Sequence, residues 1–416
     1  MVEVISCFDA VANPGKMLPV EESINRILNV VPNATKTERI PLSKAMDRVL
    51  ATDQYSPFNV PPHTNSAMDG YAIAFTDPLP VSWRLVGEAY AGRGYPEKLN
   101  QGEAVAIMTG APVPEGADTI IIKEAASLKG AALSIQGGVQ KGQHVRLAGE
   151  DIPRGSLCLP SGSLLSPQAL GLLASMGLSS VEVFKPVKVA IFSTGDEVVD
   201  QGEALPEFGI YDTNRFTLRG MLTRLGCEVI DLGIIEDDQR SLSEALALAA
   251  SSADIMLSSG GVSMGEADYI KSALKQEGRV DFWRIAMRPG RPLAFGDVGG
   301  KPFFGLPGNP VAVMVTFMQF VQPALRKMMG QTAWQPNRMI AIAEETLKSR
   351  LGRTDYSRGV YHINESGQLV VRSTGSQGSG ILTSMVMANC LIEITDEFER
   401  IDVGEPVLIQ PFSDLM

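Results

Sequence analysis

The feature of this 416-residue sequence that most constrains its fold is an alternation of strand-like and helix-like patterns between residues 187 and 329. Continuous apolar runs suit buried strands, and apolar residues spaced by three and four suit amphipathic helices. In chain order the pattern predicts a strand at 187–194, a helix in which Leu218, Met221, Leu222 and Leu225 share one face, a strand at 228–235, a helix at 241–250, a strand at 254–258, a helix at 267–277, strands at 280–286 and 292–296, and a helix at 310–329. This alternation is typical of an α/β domain built around a parallel sheet.

The sequence on either side of this α/β segment predicts smaller domains of other kinds. Residues 18–31, 42–51 and 166–176 have the pattern of amphipathic helices. Short apolar runs separated by Gly, Pro and Asn predict a β-rich region at 83–145, and similar runs after Pro336 predict an antiparallel β domain or barrel. Length alone predicts roughly three domains. The patterns indicate an α/β multidomain protein with a mixed segment formed by 1–56 and 150–185, a small β-rich segment at 57–149, an α/β segment at 186–331, and a β-barrel-like segment at 332–416.

Composition excludes several classes of protein. The formal net charge of −11 opposes non-specific binding to nucleic acid, which depends on Lys and Arg that neutralise phosphates. No apolar run approaches the roughly 18 residues that a membrane-spanning helix needs, so we expect no membrane association. The amino terminus lacks a basic stretch followed by an apolar one, which indicates a cytoplasmic location. The four cysteines and three histidines show no zinc or redox spacing.

Acidic residues follow three of the predicted strands. Glu197 follows the first strand, Asp237 follows the second, and Asp268 lies in the loop after the third. Because ligands of an open parallel sheet bind beyond the carboxyl ends of its strands, we expect these side chains to share one rim. Carboxylates beside phosphate-binding loops commonly hold Mg²⁺, which takes oxygen ligands from protein and substrate together. The hypothesis is an anion and metal site, whereas any one of these acids alone could equally be a helix cap.

Two glycine-containing loops and two arginines add anion-binding chemistry to the same rim. The loops 259–265 (SGGVSMG) and 305–310 (GLPGNP) each precede a predicted helix, where unpaired backbone N–H groups can contact a phosphate. Arg284 and Arg288 add forked donors suited to oxyanions. The loop residues that we expect to contact the ligand are Ser259, Gly260, Gly261, Ser263, Pro307, Gly308 and Asn309.

An alternative interpretation of the first loop is a serine hydrolase. Residues 261–265 (GVSMG) fit the G-x-S-x-G pattern of a nucleophile between a strand and a helix. That chemistry also requires a downstream acid and histidine, and His362 is the only downstream histidine, in the predicted β domain. The sequence contains neither a P-loop nor a G-x-G-x-x-G motif, so nucleotide-binding interpretations of those two kinds lack their local signatures.

Several long motifs resemble the molybdopterin molybdenumtransferase family, which includes the carboxy-terminal domain of gephyrin. In family order they are residues 66–72 (SAMDGYA), 108–114 (MTGAPVP), 193–197 (STGDE), 210–214 (IYDTN), 259–268 (SGGVSMGEAD), 305–310 (GLPGNP) and 375–379 (GSQGS). The resemblance extends across nearly the whole chain. It implies that the central α/β domain is of the molybdopterin-binding type.

The resemblance implies an enzyme that inserts molybdenum into the dithiolene of adenylylated molybdopterin. Molybdate is then the second substrate, Mg²⁺ the cofactor and AMP the released product. Glu197, Asp237 and Asp268 would hold the metal, and Arg284 and Arg288 stand where the best-known bacterial members have lysines, which retains the charge but changes the donor geometry. The functional positions carried over by the resemblance are Asp69, Thr109, Glu197, Asp237, Asp268, Arg358 and Ser379.

The resemblance also implies an elongated homodimer of four-domain subunits, with the mixed, small β-rich, α/β and β-barrel segments as the four domains. Each active site would lie between the α/β domain of one subunit and the small β-rich domain of its partner. The mixed domain would then serve as a linker and dimerisation domain. A molybdopterin adenylyltransferase would supply the substrate, and molybdoenzymes or their chaperones would accept the product. A non-catalytic scaffold of the gephyrin type is the alternative from another functional class, although the acidic set of an enzyme is complete in this sequence.

Overall fold

The structure is a computed structural model that describes residues 17–260, 278–332 and 335–415. The described chain forms two compact units. We call residues 17–38, 47–49 and 184–415 the α/β–barrel unit, and Arg39–Met46 with Leu50–Val183 the small-sheet unit. Within the described ranges no helix is both long enough and apolar enough to cross a membrane. The predicted helix at 267–277 and the candidate residues Gly261, Ser263 and Asp268 lie outside the described residues.

The small-sheet unit is built around a six-stranded mixed sheet with the order β7-β4-β6-β5-β9-β8. Strands β5 and β6 are parallel, and the other neighbours are antiparallel. Strands β5 to β10 confirm the β-rich region predicted between residues 83 and 145. The first elements of the chain, through this unit, are α1 (Val20–Val30), β1 (Thr37–Pro41), β2 (Gln54–Tyr55), β3 (Asn65–Ser66), β4 (Gly70–Ile73), β5 (Trp83–Ala89), β6 (Glu103–Ile107), β7 (Thr119–Ile122), β8 (Ala126–Lys129), β9 (Ala132–Ile135), β10 (Val145–Arg146), β11 (Leu157–Leu159), α2 (Pro167–Ser175) and β12 (Ser180–Phe184).

Two predicted helices of the amino-terminal half have different outcomes. The prediction of a helix at 42–51 is wrong, because only Leu42–Lys44 forms a single 3₁₀ turn and Asp47 adopts a φ of 59°, which a right-handed helix does not allow. The prediction for α2 is confirmed. Its first backbone N–H groups include that of Ala169, which donates to the hydroxyl of Ser166 at 3.3 Å, so Ser166 is the N-cap.

The α/β–barrel unit contains a six-stranded sheet with the order β16-β13-β17-β21-β20-β18. The first four strands in this order are parallel, as the sequence predicts for β13, β16 and β17, whereas β21 was not predicted as a strand. The sheet then continues through β20 and β18 as antiparallel neighbours, which the sequence pattern did not predict. The elements are β13 (Lys188–Thr194), β14 (Val198–Val199), β15 (Ile210–Tyr211), α3 (Asn214–Arg224), β16 (Glu228–Ile235), α4 (Gln239–Ser252), β17 (Ile255–Ser259), β18 (Gly278–Arg284), β19 (Met287–Arg288), β20 (Pro292–Val298), β21 (Lys301–Leu306), α5 (Pro310–Thr316) and α6 (Gln322–Met328).

Helices pack on both faces of this sheet because successive residues of its central strand point to opposite sides. Val189 and Ile191 of β13 belong to the larger core, which also holds α3 and the final helix of the domain, whereas Ala190 and Phe192 pack with α4. The predicted helix at 310–329 is confirmed as one helical segment, in which a π-helical turn at Phe317–Val321 joins α5 to α6.

The carboxy-terminal part of this unit forms the predicted small β-barrel. Strands β24, β25, β22, β28 and β26 pair in that order, and β26 pairs back to β24, which closes the barrel. The short strand β19 pairs with β24 in parallel register, so the barrel is joined to the edge of the α/β domain. Its elements are β22 (Met339–Ala343), β23 (Leu347–Lys348), β24 (Thr354–Ile363), β25 (Leu369–Ser373), α7 (Leu382–Met387), β26 (Cys390–Ile394), β27 (Arg400–Ile401), β28 (Pro406–Pro411) and α8 (Phe412–Leu415).

Candidate active site

A cavity of about 980 Å³ opens at the carboxyl ends of the parallel strands in the α/β–barrel unit. Loops after β13, β16, β17 and β21 form one side of it, and the barrel loop before α7 forms another. This is the edge at which an open parallel sheet is expected to bind ligands. The lining residues are Thr194, Gly195, Asp196, Glu197, Asp237, Gly260, Arg288, Pro289, Gly290, Pro292, Pro307, Gly308, Asn309, Ala312, Gln377, Gly378 and Ser379.

Acidic side chains form one wall of the cavity. Strands β13 and β16 are parallel neighbours and pair at their ends through Thr194 and Ile235, so the loops that carry Glu197 and Asp237 emerge side by side. The structure thus brings two of the three predicted rim acids together. Asp238 has another role, because its carboxylate accepts from the backbone N–H groups of residues 240 and 241 and caps α4, and hydrogen bonds from Ser241 lower its pKa.

Two glycine-containing loops form the floor of the cavity. Gly260 has a φ of 90°, and a Cβ at this position would lie 2.5 Å from the carbonyl oxygen of Thr194, so only glycine fits. Gly308 lies beside it, since a Cβ on Gly308 would be 4.0 Å from the Cα of Gly260. The side-chain amide of Asn214 donates to the carbonyl oxygen of Gly308 at 2.8 Å and fixes this second loop to α3. Ser259 is buried at the end of β17 and does not line the cavity.

Basic side chains lie on the barrel side of the cavity. Arg288 is half exposed and lines the cavity directly. Arg358 is buried beneath it, where Nε donates to the hydroxyl of Ser384 at 3.0 Å and Nη2 donates to the carbonyl oxygen of Gly378 at 2.9 Å. Burial, and then the charge of Arg288, lowers the pKa of Arg358 to about 10. Arg358 does not line the cavity itself, but its charge behind Arg288 adds to the positive potential that favours an anion at this wall.

The barrel loop 377–379 connects these cations to the floor. The carbonyl oxygen of Ser379 accepts from the backbone N–H of Val311 at 3.1 Å, which ties the loop to the start of α5. Gln377 accepts from the backbone N–H of Arg358 at 2.8 Å and lines the cavity, although it was not among the predicted site residues. It lies within the motif 375–379, so the signal that identified Ser379 could also have identified Gln377.

The structure does not place Arg284 with Arg288. Arg284 is exposed at the end of β18, its carbonyl oxygen accepts from the backbone N–H of Leu18 at 2.9 Å, and its side chain does not line the cavity. The two arginines are only four positions apart, but the chain turns between β18 and β19. Of this pair, therefore, Arg288 is the one positioned to contact a bound anion.

Asp69 and Thr109 form a separate polar pair in the small-sheet unit. Asp69 immediately precedes β4 and Thr109 follows β6 by two residues, and the antiparallel pairing of Gly70 with Ile107 brings them together. The backbone N–H of Thr109 donates to Oδ1 of Asp69 at 2.7 Å, and its hydroxyl donates to the same oxygen at 2.8 Å. These bonds, with a smaller contribution from the charge of Lys123, hold the pKa of the exposed Asp69 carboxyl below its usual value.

The serine hydrolase interpretation gains no geometric support from the described residues. The GVSMG sequence at 261–265 lies outside them. His362 is on barrel strand β24, where its side chain is about half exposed and Nε2 lies 3.7 Å from a carboxylate oxygen of Glu344. It does not line the cavity at the carboxyl edge of the sheet.

The acidic wall suits a hard cation that is shared with a substrate. In the ranges that the structure describes, no three His, Cys, Asp or Glu side chains are arranged as a complete metal-binding set. Mg²⁺ is commonly held by one or two carboxylates, with water and substrate phosphates as its other ligands. Glu197 and Asp237 supply two carboxylates on neighbouring strand ends, which fits this mode of binding.

Comparisons with known proteins point to one family along the whole chain. Residues 18–177 match the MoeA N-terminal region (domains I and II), residues 190–327 match a probable molybdopterin-binding domain, and residues 341–412 match the MoeA C-terminal region (domain IV). A molybdopterin molybdenumtransferase of Haemophilus influenzae is 42% identical over 403 residues, which cover 96% of this chain and 100% of the relative. A protein of the same name from a Nostoc species is 34% identical over 94% of this chain and 93% of the relative.

Solved structures give the same result for the fold. The crystal structure of a molybdopterin biosynthesis MoeA protein from Pyrococcus horikoshii OT3 superposes with a TM-score of 0.84 at 30% sequence identity. The match covers 95% of this chain and 100% of the archaeal chain.

Proposed function

The chain belongs to the molybdopterin molybdenumtransferase family, and on that premise we propose that it inserts molybdenum into adenylylated molybdopterin with release of AMP. The observation that carries this proposal is the pairing of opposite charges in one cavity. Glu197 and Asp237 line the sheet side, Arg288 lines the barrel side, and Arg358 is buried behind Arg288. Adenylylated molybdopterin, with its pyrophosphate linkage, and molybdate are both anions. Their reaction requires cationic side chains for binding and acidic side chains for the metal and water.

The cavity size and floor support a substrate with a phosphorylated pterin and a nucleotide. About 980 Å³ is at the upper end of the range for small-molecule sites, which is roughly 300–1,000 Å³. Because Gly260 and Gly308 have no side chains, a phosphate has room to lie against the backbone of both loops. In this proposal the floor holds the pterin-side phosphate, together with Pro307 and Asn309 of the second loop.

The residues of the two walls have different roles in the proposed reaction. Glu197 and Asp237 orient the water that attacks the pyrophosphate linkage and hold Mg²⁺, which would supply positive charge to the phosphate oxygens as that linkage breaks. Asp268 would complete this set. Arg288 binds molybdate or the terminal phosphate through charged hydrogen bonds, Ser379 lies beside it, and the charge of Arg358 supports the anion from behind. The water oxygen ends on one of the separated phosphates, and AMP leaves.

We further propose a homodimer in which Asp69 and Thr109 of one subunit complete the site of its partner. An exposed apolar surface supports association, because large side chains that remain in solvent commonly mark protein interfaces. Its residues are Leu205, Phe208, Ile210 and Phe216, with exposed fractions of 50%, 84%, 55% and 53%. This surface is continuous with the acidic wall, since the backbone N–H of Ile210 donates to the carbonyl oxygen of Glu197 at 2.7 Å.

The proposed partners follow from the reaction. A molybdopterin adenylyltransferase would supply the adenylylated substrate, and molybdoenzymes or their chaperones would receive the product, all within the cytoplasm. The competing function is a scaffold that binds but does not turn over. Incubation of the purified protein with adenylylated molybdopterin, Mg²⁺ and molybdate distinguishes the two. The proposed enzyme releases AMP in a molybdate-dependent manner, and a Glu197→Gln variant loses this release, whereas a scaffold releases none.

A further inference from the structure

The barrel carries a second layer of charged residues behind Arg288. Strand β19 pairs with β24 in a register that sets Arg288 directly against Asp355, and Arg353 lies two residues before Asp355 at the start of the same barrel strand. Asp355 is only 2% exposed, so its carboxylate requires cationic partners nearby. The side chain of Arg353 is 13% exposed, and that of Arg288 is 51% exposed.

The two arginines share this buried carboxylate unequally. Nη2 of Arg353 donates to Oδ2 of Asp355 at 3.2 Å, and its Nε lies 2.8 Å from Oδ1 in an ion-pair contact that lacks hydrogen-bond alignment. Nη1 of Arg288 lies 3.8 Å from Oδ2, which is beyond hydrogen-bond distance. Arg353 is therefore the closer cation and the hydrogen-bond donor to Asp355, and the guanidinium of Arg288 remains half in solvent at the cavity wall.

We propose that Arg353 is a positioning residue which, by occupying Asp355, keeps the charge of Arg288 available to an oxyanion in the cavity. This inference rests on the proposed function, in which Arg288 contacts molybdate or phosphate. Arg353 does not line the cavity, so it acts through Arg288 and not by direct contact. If Arg353 is removed, the nearest cation to the buried carboxylate is Arg288, which a shift of less than 1 Å would bring within hydrogen-bond distance.

The test is a double-mutant cycle that measures molybdate half-saturation of AMP release and molybdate binding by calorimetry. Arg353→Gln should raise the half-saturation about three- to tenfold, because Asp355 then draws Arg288 away, and should leave the rate at saturating molybdate within about twofold. Asp355→Asn should not raise it. The double variant Arg353→Gln/Asp355→Asn should return to within about twofold of wild type, because it removes the competing carboxylate as well.

A purely structural role for Arg353 predicts a different pattern. In that case the double variant is at least as impaired as either single variant, and the rate at saturation falls together with affinity; either result overturns the proposal. Arg338→Gln is the matched control, since Arg338 also binds a buried barrel carboxylate, Glu393, with contacts of 2.7 and 3.2 Å, but does not line this cavity. It should leave molybdate affinity unchanged. An equal loss in the control assigns the effect to barrel damage and contradicts the proposal.

Two further variants keep the outcome decisive. Arg353→Lys retains a cation against Asp355 and should stay within about twofold of wild type, which tests the idea even if the glutamine variant does not fold. Arg288→Ala separates this inference from the function on which it rests. If Arg288→Ala weakens molybdate binding and Arg353→Gln does not, only the positioning role is wrong. If Arg288→Ala has no effect, the assignment of Arg288 fails and the positioning role fails with it.

Discussion

Thr109 donates two hydrogen bonds to a single oxygen of Asp69, from its backbone N–H at 2.7 Å and from its hydroxyl at 2.8 Å. Both bonds favour the ionised carboxylate and lower the pKa of Asp69. Thr109→Val removes the hydroxyl bond and should raise this pKa toward its usual range. If turnover needs the carboxylate, the acid limb of the pH–rate profile then moves to higher pH. Thr109→Ser should behave as wild type. If the acid limb of the valine variant does not move, turnover does not depend on ionisation of Asp69.

The rim acids provide a prediction with a neighbouring control. Glu197→Gln and Asp237→Asn should each lower AMP release by about 10²- to 10⁴-fold, the usual range for loss of a group that moves or orients a proton in the reaction. Asp238→Ala changes the adjacent residue, which caps α4, and should cost about 1 kcal/mol of stability with near-normal turnover. Steady-state rates and thermal unfolding of the three variants check this. Near-normal turnover in the first two variants would exclude both acids from catalysis.

From the position of Arg358 we expect a bound oxyanion to raise the free energy of unfolding. Its buried guanidinium donates to Ser384 and Gly378, and burial together with the charge of Arg288 lowers its pKa to about 10, so a bound anion relieves an unfavourable charge. Molybdate at a hundredfold excess over its dissociation constant should stabilise the wild type by about 2.7 kcal/mol. Arg358→Gln should reduce this gain by at least about 1.4 kcal/mol, the equivalent of tenfold weaker binding. Equal thermal shifts in both proteins would place the anion elsewhere.

The sequence predicted five of the six strands of the α/β sheet because their chemistry is local, and it missed β21 (Lys301–Leu306). The run from Val189 to Phe192 is apolar on both faces, as a strand buried between two helix layers must be. The spacing of apolar residues does not reveal the direction of a strand, so the antiparallel pairing of β20 and β18 could not be predicted. The prediction of a helix at 42–51 is wrong because Ala45 and Leu50 are buried in the core by a segment whose backbone is not helical.

The same distinction explains which site residues could be found. Glu197 and Asp237 follow neighbouring parallel strands, so a topological rule brings them to one rim. Arg358 comes near Arg288 at the cavity wall because β19 pairs with β24, a contact between segments about 70 residues apart that leaves no local pattern. Asp69 precedes a glycine and has the local pattern of a turn residue. Both were identified by resemblance alone.

A mixing experiment tests the proposed sharing of sites between subunits. Asp69→Asn and Asp237→Asn should each be inactive, but equal amounts exchanged into heterodimers should recover about a quarter of wild-type activity. Half of the dimers are then mixed, and each mixed dimer has one site with both wild-type residues. The recovered AMP release is measured after subunit exchange has been verified by mass spectrometry. If no activity returns, each site is built within one chain.

The most direct test of the central claim is the ratio of molybdenum incorporated to AMP released in a single turnover. The purified protein is loaded with adenylylated molybdopterin and Mg²⁺, molybdate is added, and dithiolene-bound molybdenum and free AMP are measured over time. The account predicts that both appear together in a ratio of one to one and that little AMP appears without molybdate. Molybdenum insertion without AMP release, or equal AMP release in the absence of molybdate, would contradict it.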